Sequence, residues 1–385
     1  MSKQKKGQNT ICTHTGGVDD PIFRGAVSPI YLSTSYDFLD QETKRYPRYF
    51  NTPNQEHLSK KIAALEDAEA GMLFSSGLAA VSAVMLSFLK SGDHAVIQND
   101  IYGGTRNFIE SHFESYGIQY SFTKDLTINA FKDCIQKNTK LIYVETPSNP
   151  LLKLVDLFAI AKLAKTHNII SAIDNTFATP IVQKPHTLGI DIIIHSATKY
   201  FGGHSDISAG AIASSQKHID KIWDLAKDFG GNLSDFSVWM LERSMKTLGI
   251  RVKAQQKNAK KLARFLEQHP AVNKVYYPGL KSHEDHQLAK IQMKGFGAML
   301  SFELSKSYDT VLFLKSLQLI KPSMSLAGVE STMILPALAS HALLSKSERL
   351  AQGITDQLIR FSVGIESKKD LIYDIEHALN LSQKK

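Results

Sequence analysis

Residues 191–206 read DIIIHSATKYFGGHSD. The apolar run Ile192–Ile194 has the length and branching of a buried strand, and it stops at a short polar segment holding one lysine, Lys199, two glycines and a histidine. A lysine just past a buried strand is useful where its amine must lose a proton and attack a carbonyl, because desolvation lowers its pKa and makes it nucleophilic. The two glycines let the chain turn closely around a bound ring, and His195 and His204 read as structural.

Short apolar runs of the same kind recur upstream: HAVIQND at 94–100, IQYSFTKD at 118–125, LIYVETPSNP at 141–150 and IISAIDNTF at 169–177. Between them lie segments with helical spacing, such as LVDLFAIAKLAKTHN at 154–168, so this region reads as strand–helix units on a mainly parallel sheet. Ligands of such sheets bind at the carboxyl ends of the strands, where the polar words fall. Ahead of it, residues 1–54 read as an extended arm without helical periodicity, and the apolar spacing of Leu58, Ile62 and Leu65 opens a main domain over 55–245. From 246 to 385 the texture changes to a long basic helix, short strands at KVYYPG and GAMLSFEL, and a final helix from about 369, a smaller α+β domain.

With 385 residues, 43% of them apolar and 21% charged, the composition is ordinary for a globular chain of two domains. The net charge of +8 is spread over scattered lysine pairs, which suits small anions better than nucleic acid. No apolar segment follows the basic N-terminus, and the longest apolar stretch, 77–89, is too short to span a bilayer, so a soluble, cytoplasmic protein is expected. Cys12 and Cys134 form neither a metal pattern nor a disulfide framework.

The strand ends gather a set of groups. Asp174 ends the run IISAI, 25 residues before Lys199, and Ser75-Ser76-Gly77 lies between a strand and a helix. Each alone could be a turn cap or a solvated charge; together at one sheet edge they suit pyridoxal 5′-phosphate, PLP. That cofactor needs an amine, here Lys199, and a carboxylate against its pyridine nitrogen, here Asp174. Its phosphate needs backbone N–H groups at a helix start with small hydroxyls nearby, which Gly77, Leu78, Ser196 and Thr198 offer. Tyr102, in the turn after HAVIQND, is the candidate to cover the ring.

The words SSGLAA, YGGT, ETPSNP, DNTFATP, HSATKYFGGHSD, GVES and IRFSVGIE occur in an order and spacing that resembles the trans-sulfuration branch of fold-type I PLP enzymes. That branch holds the cystathionine lyases, cystathionine γ-synthase, methionine γ-lyase and the homoserine-ester sulfhydrylases, and the likeness runs from about residue 12 to 380. It implies an aspartate aminotransferase-like fold with a mainly parallel seven-stranded sheet between helices. Lys199 matches the lysine that holds the cofactor, Asp174 the carboxylate on the pyridine nitrogen, Tyr102 the stacking tyrosine, and Gly77, Leu78, Ser196 and Thr198 the phosphate ligands. Tyr46-Pro47-Arg48 has the form of the pair that completes the phosphate site of a neighbouring subunit, which implies active sites shared across a dimer within a homotetramer. Arg360 matches the arginine that clamps the substrate carboxylate, with Ser331 and Asn149 as its helpers.

Two departures bear on the substrate. The arm reads Asn51-Thr52-Pro53-Asn54 where relatives have Asn-Pro-Thr, and Arg106 precedes Asn107 where many relatives carry the arginine one place later. Glu330 in GVES stands where the γ-type enzymes often have a glutamate, suited to the distal ammonium of cystathionine. The expected activity is a carbon–sulfur lyase acting on cystathionine, γ over β elimination, with cysteine and homocysteine desulfhydration alongside. Cystathionine γ-synthase and a fold-type I aminotransferase are the alternatives; the latter would not require GVES or the Tyr-x-Arg arm.

Overall fold

The computed structural model describes residues 6–342 and 345–384. Seven strands build the main sheet: β1 (Ala70–Phe74), β2 (His94–Ile97), β3 (Gln119–Phe122), β4 (Thr139–Glu145), β5 (Ile170–Asp174), β6 (Ile192–His195) and β7 (Gly210–Ser214), in the order β1-β7-β6-β5-β4-β2-β3. Pairs among β2 to β6 are parallel, whereas β7 runs antiparallel to both neighbours. The runs seen in the sequence become β2 to β6. β7 carries no comparable signal: its GAIAS is small and short, yet every residue of it is buried.

The continuous apolar character of these strands follows from burial on both faces. Ile193, Ile173 and Val144 pack into one core, while their chain neighbours Ile192, Ile194, Ala172 and Tyr143 pack into a second on the other face. A one-residue slip would exchange the two sets, so the register is strongly specified. The first core continues into a small antiparallel sheet of β8 (Val272–Tyr276), β9 (Met299–Leu304), β10 (Thr332–Ile334) and β11 (Leu358–Ser362), ordered β10-β11-β9-β8.

The arm holds more structure than its composition suggests. A short helix, Gln8–His14, buries Ile11 and Cys12, and the unusual Asn-Thr-Pro-Asn word is a helix start. Thr52 is the N-cap of the helix Pro53–Glu66; its hydroxyl accepts from the Gln55 N–H at 3.3 Å and the Gln55 side chain accepts from the Thr52 N–H at 3.1 Å. Pro53 takes the first helical position, where its missing N–H costs nothing. Residues 1–5 of the expected arm lie outside the described residues. Among the described residues, no helix is long and apolar enough to cross a membrane.

Candidate active site

The parallel strands bring their carboxyl ends to one edge of the main sheet, and a cavity of 800 Å³ opens there against the loops of the small sheet. Lys199 follows β6 by four residues and lines the cavity. Its Nζ donates to Ser325 Oγ at 2.9 Å. Burial, then the positive charge of Arg360, depresses the amine to about 8, against a smaller upward pull from Asp174. Neutral amine is therefore plentiful at mildly alkaline pH, the form a nucleophile or a base requires.

Asp174 closes β5 and lines the same cavity, its carboxylate accepting from the Thr176 N–H at 2.9 Å. Directly across the register stands Glu145, the last residue of β4, which the sequence reading left unassigned. Burial is the main cause that pushes both carboxyls up. Burial and then Asp174's charge raise Glu145 well above its ordinary value, while the Thr176 hydrogen bonds, His195 and Lys199 pull Asp174 back. The two thus differ in surroundings: Asp174 faces cations, whereas Glu145 is buried and accepts from the Tyr102 N–H at 2.7 Å. That bond fixes the start of the helix Gly103–His112 and with it Tyr102, which is half exposed on the cavity wall.

The residues expected at a phosphate gather at one end of the cavity. Ser76 caps the helix Gly77–Phe88 through a bond from the Ala79 N–H to its hydroxyl at 3.0 Å, leaving the N–H groups of Gly77 and Leu78 without intrahelical acceptors. A Cβ at Gly77 would stand 2.8 Å from the Cβ of Ser196, so only glycine lets the helix start approach the Lys199 turn. The Ser196 N–H donates to the Thr176 hydroxyl at 2.8 Å, tying the ends of β5 and β6 together. Thr198 lines the cavity, although its hydroxyl already donates to the Ala209 carbonyl at 3.1 Å.

Across the cavity, Arg360 projects from β11. It is buried, donates to Asn149 Oδ1 at 3.1 Å and to the Ser325 carbonyl at 3.0 Å, and has no carboxylate among these partners. Burial lowers it to about 10, so it stays cationic at neutral pH. Asn149 thus stands beside Arg360 on the cavity wall. Ser331 does not reach Arg360: its hydroxyl donates to Glu366 at 2.9 Å and accepts from the Gly364 N–H at 2.9 Å, outside the cavity lining. The serine beside Arg360 is Ser325, in the word MSLAGVES, where Ser325 and Ala327 both take left-handed backbone (φ 75° and 68°). No period or strand end marks it in the sequence; the fold alone brings it to Lys199.

Glu330 is exposed and outside the cavity lining. Arg106 lines the cavity but is engaged by Glu110 at 2.8 Å, the Asn99 carbonyl at 2.6 Å and the Phe122 ring at 3.9 Å. Tyr46 and Arg48 lie away from the chain's own cavity; Arg48 is exposed, stacks at 5.8 Å on Tyr46 and donates to the Lys227 carbonyl. His195 is outside the cavity lining: its Nε2 lies 2.6 Å from buried Glu66, which also accepts from Asn175 at 3.0 Å.

The model of the Cys/Met metabolism PLP-dependent enzymes matches residues 9–380. A cystathionine gamma-lyase of Bacillus subtilis is 44% identical over 97% of this chain and 99% of its own, and a cystathionine beta-lyase of Lactococcus lactis is 43% identical over 94% and 97%. The solved structure of a cystathionine gamma-lyase from Lactobacillus plantarum, complexed with L-serine, superposes with a TM-score of 0.94 at 40% identity, covering 98% of this chain and 99% of that one. Sequence, fold and the strand-end cavity agree, and the chain belongs to the Cys/Met metabolism PLP-dependent enzymes.

Proposed function

We propose that this protein is a carbon–sulfur lyase that binds PLP in the strand-end cavity and cleaves cystathionine, by γ over β elimination, with cysteine and homocysteine as further substrates. The observation that carries the reading is the meeting around one cavity of an amine depressed to about 8, a strand-end carboxylate facing cations, and a buried guanidinium without a carboxylate of its own. The donor set fits the cofactor: N–H groups of Gly77 and Leu78 with the Ser196 hydroxyl for a phosphate, Asp174 for a protonated ring nitrogen, Lys199 for an aldehyde carbon, Tyr102 beside the ring. When bound, PLP supplies an electron sink for charge developing at the substrate α-carbon.

Within that reading Arg360 holds the substrate α-carboxylate, with Asn149 and the Ser325 carbonyl orienting its guanidinium. Once the substrate's amino group has displaced it from the cofactor, the Lys199 Nζ accepts the Cα proton; for γ-cleavage it would return that proton to the bound cofactor before taking a second from Cβ, and Tyr102 donates a proton to the departing sulfur. Asp174 stands opposite the ring nitrogen; burial raises its carboxyl, and the hydrogen bonds from Thr176 are the largest of the causes that pull it back. Glu330, from its exposed position, attracts the distal ammonium of cystathionine at long range. Tyr46 and Arg48 of the arm, residues 1–54, complete the phosphate site of a second copy, in a homotetramer assembled as a dimer of dimers in the cytoplasm, with residues 55–245 and 246–385 as the cofactor and small domains. The exposed apolar side chains of Phe23, Leu32, Phe38 and Leu39 suit such a contact.

Product analysis with cystathionine as the sole substrate tests the reading. Cysteine, 2-oxobutanoate and ammonia are expected. Homocysteine with pyruvate would make the enzyme a β-lyase; no cleavage, with cystathionine formed when cysteine and an acyl-homoserine are supplied instead, would make it a synthase.

A further inference from the structure

One face of one helix fastens three segments of the site. The helix Leu248–Gln268 carries Arg251, Gln255 and Asn258 at i, i+4 and i+7, a single stripe along its surface. Arg251 is buried and donates to the carbonyls of Tyr200 at 2.9 Å, Phe201 at 3.3 Å and Ser244 at 3.0 Å, and to the Thr247 hydroxyl at 3.1 Å. One turn on, Gln255 donates to the Gly328 carbonyl at 2.8 Å; a further turn on, Asn258 donates to the Glu366 carbonyl at 2.8 Å. Apart from Ser244, which lies in the helix Asp235–Met245, those carbonyls belong to the turn that follows Lys199, the loop that presents Ser325, and the chain leaving β11, which carries Arg360.

A buried guanidinium without a carboxylate partner is costly, on the order of several kcal/mol, unless its hydrogens are well used. Here four of its donor contacts go to oxygens and none to a carboxylate. The chain has shaped itself around it: a Cβ on Gly203 (φ 69°) would stand 1.9 Å from Arg251 Nη1. The second glycine of the opening word is thus required by Arg251 rather than by a ligand. Gly203 closes the turn, its N–H donating to the Lys199 carbonyl at 2.7 Å and its carbonyl accepting from the Val329 N–H at 3.0 Å, which joins the lysine turn to the Ser325 loop.

We propose that Arg251 is a positioning residue for Lys199, and Gln255 for Ser325, so that this helix sets where the amine stands relative to the rest of the site. The inference rests on Lys199 being the amine that holds the cofactor. It is tested on the full-length protein with Arg251→Met, Arg251→Lys and Gln255→Leu, and with Lys253→Ala on the exposed side of the same helix as a control. Three readouts are taken: PLP affinity by equilibrium dialysis, the pH midpoint of the bound cofactor's visible band, and thermal unfolding of the cofactor-free protein.

A misplacement of about 1 Å costs on the order of 100-fold, so Arg251→Met should lose about that much PLP affinity and shift the band's midpoint. Arg251→Lys should recover part of both. Gln255→Leu should move the midpoint with a smaller loss of affinity, and Lys253→Ala should match wild type. Folded Arg251 variants that lose only thermal stability, with affinity and midpoint as in wild type, would overturn the proposal. Should Arg251→Met not fold, Arg251→Lys and Gln255→Leu decide by the same readouts. A wild type that develops no visible band with PLP would instead sink the underlying reading of Lys199.

Discussion

On the sheet side of the cavity, Asp174, Glu145 and Lys199 stand at or just past the ends of β5, β4 and β6, each placed by a strand buried on both faces. On the opposite side Arg360 leans from β11 toward Ser325, which belongs to a loop in left-handed backbone and is tied to a helix through Gly328. The sheet side is rigid because its supports are parallel ladders inside two cores; the loop side depends on single hydrogen bonds between segments distant in the chain. On the proposed reading, the proton transfers fall to the first side and the grip on the substrate carboxylate to the second.

Removing a group from the sheet side should therefore cost turnover. Asp174→Ala is expected to fold and to lose about 10²–10³-fold in kcat, the scale of one preorganised electrostatic group; kcat within a fewfold of wild type would remove Asp174 from the electron-sink role. On the loop side, Arg360→Lys keeps the charge but loses the fork, and should raise KM about tenfold with kcat less affected. Steady-state kinetics showing the reverse split would mean that Arg360 serves the chemical step.

The depressed amine has a consequence for stability. Unfolded chains keep a proton on a lysine up to about 10.5, whereas folded Lys199 releases it near 8. Burying the charged form thus penalises the cofactor-free protein fully below pH 8, and the penalty fades as pH rises toward the unfolded value. Cofactor-free Lys199→Met should accordingly unfold at a higher temperature than wild type at pH 7, with the gap narrowing toward pH 10; a gap constant across that range would show that the amine is not depressed. The smallest effect is expected at Glu330, exposed and off the cavity wall: Glu330→Ala should weaken cystathionine use by about twofold and spare cysteine, as suits a screened charge. Equal loss on both substrates would count against distal recognition.

The sheet side was legible in the sequence for the same physical reason that it is rigid. Ile192–Ile194 announces a doubly buried strand, and a strand's end fixes where its next polar residues go, so Asp174, Lys199 and Gly77 could be placed by local pattern alone. β7 was not, because small residues such as Gly210 and Ala211 carry little hydrophobic signal; a Cβ on Gly210 would stand 2.1 Å from the Ser76 carbonyl, so packing there demands smallness. The loop side was read less well. Ser331 was expected beside Arg360 and Ser325 stands there, since two serines six residues apart in one loop differ only in how the backbone bends. Gly203 was read as room for a ligand and proves to be room for Arg251, a long-range pairing that no local spacing encodes.

The proposed chemistry turns on the Lys199 amine holding the cofactor. Cofactor-free protein supplied with PLP, reduced with borohydride, digested and weighed by mass spectrometry tests it directly. One phosphopyridoxyl group is expected, on the peptide carrying Lys199, formed at a rate that rises with pH through about 8. Label scattered over exposed lysines, or absent from Lys199, would contradict it.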